Sequence, residues 1–164
     1  MKFGSNPCLC PLPLVLVLLM LAVADTHAAT LSTGSMRDAV LARNDDFKTA
    51  FNTLSPSRIV SMYAPTARAQ FPGFDPIVGR DALSGAYTGL FQTAARVEFT
   101  RIQVSRSGSD YLTKNTYLVT EFRRRGPALG PATVVLSQRT GTITLTWQLR
   151  GRTWFIVSDV TTSD

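Results

Sequence analysis

Cysteine and histidine are nearly missing from this 164-residue chain, which holds Cys8, Cys10 and His27 and no others. All three lie in or beside an N-terminal stretch unlike the rest. Lys2 precedes an apolar run from Leu14 to Ala24, too short to span a bilayer comfortably, which closes on the small-residue pattern Ala22-Val23-Ala24. Residues 1–24 therefore read as a cleavable export signal, with Ala28 and Ala29 as later cutting points. A flexible N-terminus over 25–35 and one domain over 36–164 are expected to follow. Nothing after Ala24 supplies the flank an uncleaved anchor would need, so the expected location is secreted or periplasmic, with no membrane attachment after cleavage. Cleavage removes both cysteines and leaves His27 close to the new end. Disulfides, Cys/His metal sites, thiol nucleophiles and Ser-His-Asp triads are thereby excluded from the domain, and neither a metal nor a cofactor is expected. Carboxylates, tyrosines, arginines, lysines and hydroxyls remain to do any chemistry.

Acidic residues are also sparse, at 11 against 17 basic ones; losing Lys2 leaves 16 against 11, a net charge of about +5 for the domain. Only two glutamates occur, Glu98 and Glu121. The densest basic run, Arg123-Arg124-Arg125, leads into Gly126-Pro127 and so reads as a solvated hairpin end. It lacks the interleaved aromatics of a nucleic-acid stripe, and no nucleic-acid partner is expected.

What is present is a change of period. Met36, Val40, Phe47, Phe51 and Leu54 recur at helical spacing, with Ser35 and Asp38 placed to start a helix. Ser55-Pro56 opens a second helix to about Tyr63 that buries Ile59, Met62 and Tyr63, and Ala64-Pro65 ends it. A short strand is expected over Ala67 to Phe71. The stretch FPGFDPIVGRDAL then supplies turns, a non-helical entry at Gly79 and an acidic first turn at Asp81 for a third helix near Arg80. Leu83, Tyr87, Leu90 and Phe91 form that helix's apolar face, and Gly85 and Gly89 imply a close helix contact. From Arg96 the period becomes two. Strands are expected over Val97–Val104 with a slip near Arg101, then over Tyr111–Phe122, Thr133–Ser137, Gly141–Leu149 and Thr153–Val160. Three helices followed by long strands make an α+β domain with helices on one face of a curved antiparallel sheet.

The segments SPSRIVSMYAPTARAQF, VGRDALSGAYTGLF and GTITLTWQLRGRTWFIVSDVTTSD, in this order and spacing, resemble the SnoaL-like branch of the nuclear transport factor 2-like superfamily. That branch includes ketosteroid isomerase homologues, and the resemblance runs from about Ala39 to Asp164. It implies a cone of three helices and a strongly bent sheet around an apolar pocket, and a homodimer through the outer sheet face. It also implies where isomerase groups would stand: an oxyanion tyrosine at Phe47, the proton-moving carboxylate near Phe71 and the strand acid near Leu145. All three positions are apolar here, so classical ketosteroid isomerase activity is not expected.

Strand parity offers one replacement. If Leu145 and Trp147 face the concave side, Tyr117, Val119 and Glu121 do so on the neighbouring strand, making Glu121 the candidate catalytic residue with Tyr117 or Tyr63 as its partner. The expected pocket lining is Phe47, Tyr63, Phe71, Tyr87, Tyr117, Val119, Glu121, Leu145 and Trp147. The alternative for Glu121 is a strand-end pair with Arg123 or Arg139. Asp159 is expected against a basic side chain near the sheet's end, and Arg68 at the pocket mouth or the dimer face. The leading functional expectation is an exported domain binding a small apolar molecule. The alternatives are an interaction module with a vestigial pocket, and an isomerase or dehydratase using Glu121 or another carboxylate. A pocket filled by Phe47, Phe71 and Trp147 would favour the interaction module.

Overall fold

The computed structural model describes residues 33–124 and 133–164. The segment expected to be an export signal, residues 25–32 of the expected flexible N-terminus and most of the expected Arg123–Pro131 loop fall outside these residues, while residues 33–35 of that N-terminus are already helical. In chain order the elements are α1 (Thr33–Asn52), α2 (Pro56–Ser61), β1 (Tyr63–Gln70), β2 (Ile77–Val78), α3 (Arg80–Leu90), β3 (Ala94–Ser107), β4 (Asp110–Arg124), β5 (Thr133–Arg150) and β6 (Thr153–Ser163). The six strands form one curved, unclosed sheet in the order β2-β1-β6-β5-β4-β3. The α+β reading holds, with the helices packed on one face of that sheet.

α1 buries Val40, Phe47 and Phe51, three members of the expected stripe, and adds Ala50 and the amide of Asn44. It begins at Thr33, so Ser35 lies within its first turn. Leu54 falls past the helix with φ 51, the left-handed residue that lets the chain turn towards α2. Pro56 takes the first helical position of α2 as expected, while the Ser55 side chain makes no cap hydrogen bond.

α2 ends earlier than its sequence implies. Ala64 precedes a proline and is held extended, so the chain enters β1 at Tyr63. This moves Tyr63 from a helix end to a strand. β1 pairs parallel with β6, through Tyr63↔Ile156 and then Ala69↔Asp159, and antiparallel with the two-residue β2. The parallel pair departs from the expected all-antiparallel sheet. The entry to α3 is as read: Gly79 stands at φ 86 and ψ 158, a region in effect reserved for glycine, and its N–H donates to Ala67 O at 2.9 Å. Gly85 and Gly89 correct the sequence reading, because a Cβ at either would meet nothing within 4 Å. They mark an open helix face.

β3 slips between Phe99 and Arg101 where a bulge was expected, and the two strands expected over Thr133–Ser137 and Gly141–Leu149 are one continuous β5. Gly141 lies in the middle of β5 because a Cβ there would overlap both Thr162 O and the Tyr117 hydroxyl. The concave face gathers Tyr111, Tyr117, Ile143, Leu145, Trp147, Trp154 and Ile156 against α1 and α3, each buried. Burial of each large apolar side chain contributes about 1.5–3 kcal/mol, and this single core carries the domain.

Candidate functional site

Four of the residues expected to line a pocket do meet. Phe47 from α1, Tyr63 from β1, Tyr87 from α3 and Phe71 after β1 form an aromatic cluster that also takes in Phe51 and Phe91. Its ring centroids lie 6.5 Å apart for Phe47–Tyr63, 6.1 Å for Tyr63–Tyr87 and 5.7 Å for Phe71–Tyr87. Phe47, Tyr63 and Tyr87 are buried, and Phe71 is half-buried at the edge of the exposed Pro72–Pro76 loop.

Into this apolar surround comes a carboxylate. The Tyr63 hydroxyl donates to Asp159 Oδ2 at 2.5 Å, the Thr161 hydroxyl donates to Oδ1 at 3.1 Å, and the Tyr63 and Tyr87 hydroxyls share a hydrogen bond of 2.7 Å. Asp159 is 1% exposed and has no cation partner among the described residues. Burial pushes its pKa up from 3.8 to about 6, although hydrogen bonds from Tyr63, Thr161 and Tyr87 favour the ionised form. Burial likewise raises both tyrosines well above their ordinary value of 10.0, and the adjacent Asp159 charge adds to the rise. At neutral pH the arrangement is one ionised carboxylate held by neutral phenols. It can accept a proton near pH 6 and pass hydrogen-bonding character through two hydroxyls.

Asp159 therefore overturns its expected place beside a basic side chain. The cause is a β-bulge. Ile156 pairs with Trp147 and Ser158 with Thr146, so Val157 is an extra residue on β6, and Asp159 lands opposite Leu145 on the concave side. Leu145, where the resemblance puts a strand acid, is itself apolar, and its neighbour supplies the carboxylate.

Glu121 requires the opposite correction. Its parity is as expected, since it pairs with Ser137 and shares the concave face with Tyr117 and Val119. It lies, however, at the far end of β4. There it forms an ion pair with Arg139, accepts a 2.9 Å hydrogen bond from Ser137 and keeps 25% of its side-chain surface exposed. Neither expected tyrosine reaches it: Tyr63 is bonded to Asp159, and the Tyr117 hydroxyl donates to Thr162 O at 3.1 Å. Val119 is half-buried between Tyr117 and Glu121.

Trp147 and Leu145 are fully buried, but Trp147 belongs to a second polar cluster. Its indole N–H donates to Thr113 Oγ1 at 3.0 Å, and the Thr113 hydroxyl donates to Asn44 Oδ1 at 3.0 Å. The Asn44 and Asn115 amides pair reciprocally at 2.9 and 3.0 Å. These groups satisfy one another, which makes the cluster a pin between α1 and the sheet. Phe47 and Trp147 therefore occupy space that an open pocket would need.

Two grooves lie away from the tyrosines. One of about 170 Å³ runs over Arg68, Gln70, Ser158 and Val160 on the outer sheet face, with Asp159 in its floor and the carboxylate turned away to Tyr63. Arg68 thus stands on the outer face. The other, of about 300 Å³, lies between the end of α1 and β3.

The profile of the SnoaL-like domain matches residues 45–155. No curated protein matches the chain. Among solved structures, a proposed dehydratase of the NTF2-like family from Streptomyces avermitilis superposes with a TM-score of 0.67 at 15% identity, over 77% of this chain and 95% of that one. A ketosteroid isomerase-like protein from Erwinia carotovora atroseptica gives 0.59 at 15% identity, over 77% and 95%. A proposed calcium/calmodulin-dependent protein kinase II association domain from Xanthomonas campestris gives 0.63 at 14% identity, over 76% and 85%. At these identities the likeness is one of fold.

Proposed function

The chain belongs to the SnoaL-like domain family, and from that premise we propose an exported domain that binds a small, largely apolar molecule at the aromatic end of its core. Tyr63, Tyr87 and Asp159 engage one oxygen of that molecule. The carrying observation is the Asp159 carboxylate, 1% exposed and held by a phenol at 2.5 Å with no cation partner among the described residues. A buried carboxylate held by hydroxyls alone is costly, and such groups concentrate where acid/base chemistry or polar recognition is performed. Titration near pH 6 suits an isomerase or dehydratase step at that oxygen, in which Asp159 donates or accepts one proton. The route in passes Phe71, which stacks edge-on against Tyr87 beside an exposed loop. The homodimer through the outer sheet face and export by the leader are parts of the same proposal.

The filled core favours a second reading, an interaction module whose pocket is vestigial: Phe47 and Trp147 are packed into it at 2% and 0% exposure. Native mass spectrometry of the mature protein at pH 5 and pH 7 separates the two, run beside Asp159→Asn and Tyr87→Phe. Binding predicts a co-purified small molecule whose retention changes between the two pH values and is weakened in both variants. Wild-type protein that carries nothing from cell extracts at either pH supports the interaction module instead.

A further inference from the structure

β3 is the long edge of the sheet, a 14-residue strand paired on one side to β4 and, among the described residues, with no strand on the other. A row of unpaired backbone groups of this length invites another strand. The edge is stopped at one point. The Asn52 side chain, at the end of α1, accepts from Val97 N–H at 2.8 Å and donates to Val97 O at 3.0 Å, doing what a neighbouring strand's peptide would do. Those two bonds show that Val97 turns its N–H and C=O outward. In an antiparallel strand the residue two further on turns the same way, so Phe99 presents its own pair to the same side. That pair faces the groove of about 300 Å³ lined also by Lys48, Asn52, Arg96 and Glu98.

The side chains along the edge say what kind of strand fits. Arg96, Arg101 and Arg106 are exposed along β3 against the single acid Glu98, and Lys48 stands beside the groove, paired to Asp45 at 2.5 Å. Arg96 and Arg101 make no ion pair among the described residues. Pairing of β3 with β3 of a second copy would bring two equally basic edges together, which like charges disfavour. We propose that the β3 edge from Phe99 onward docks an extended, acidic segment of a partner protein, which adds as a seventh strand with Asn52 marking where pairing stops. Main-chain hydrogen bonds supply the adhesion, and the arginines select the acidic sequence.

The probe is a fluorescent peptide of about ten residues that alternates glutamate with valine and threonine, compared with its lysine counterpart. The acidic peptide is expected to bind at least about tenfold more tightly, to weaken as salt rises from about 50 to about 500 mM, and to slow exchange of the Phe99 amide in NMR hydrogen exchange. Arg96→Glu with Arg101→Glu, both surface changes, should reverse the preference between the two peptides. Equal binding of the two, binding that leaves Phe99 unprotected, or no binding at millimolar peptide overturns the proposal.

Discussion

Ionising Asp159 inside an aromatic core costs stability, and its raised pKa fixes the pH at which the cost appears. The folded chain holds this proton more tightly than the unfolded chain does. The contribution is therefore fully present below the ordinary value of 3.8 and is lost as pH rises to about 6. The span corresponds to about 3 kcal/mol. Asp159→Asn removes the titration and keeps an acceptor for Tyr63. In urea melts, the variant is expected to gain on the wild type between pH 4 and pH 6.5; parallel profiles would show that Asp159 does not titrate in that window. This residue was not legible as a site. Alternation from Trp154 and Ile156 sends Asp159 outward, and a bulge at Val157 leaves no mark in composition. Glu121 was misleading for the complementary reason: parity gives its face correctly, but not how far along β4 the helices extend their cover.

At the scale of elements, the helical stripes were readable because they rest on short-range spacing, and Phe47, Leu83 and Tyr87 are buried as that spacing requires. β1 was less readable. Its start depends on Pro65 and on a parallel partner some ninety residues later, which local patterning does not contain. The glycines of α3 were read as a packing device, yet both face open space. Gly85→Ala and Gly89→Ala should each therefore stabilise the domain by about 1 kcal/mol, raising the thermal midpoint additively. A loss of stability in either would place a contact on that face.

At the scale of the whole molecule, the outer side of the sheet centres on a run of threonines in β5. Thr142, Thr144 and Thr146 line the outer side of β5, with Thr116 and Thr162 across from Thr142. These residues are half-buried or exposed, and β-branched side chains suit a sheet surface that meets another sheet. The proposed homodimer uses this face. Sedimentation should find a dimer for the wild type and a monomer for Thr144→Arg, with unchanged far-ultraviolet circular dichroism. A monomeric wild type would leave the face without that role.

β6 comes last of the six strands in the chain, yet it sits inside the sheet between β1 and β5. Until it emerges from the ribosome, β1 and β2 have no strand to join them to β3, β4 and β5, and only the helices bridge the two halves. An unfinished chain therefore holds a hairpin sheet and a loose helical arm rather than a domain. The fold therefore cannot close early: it locks only when the final strand slides into place between β1 and β5.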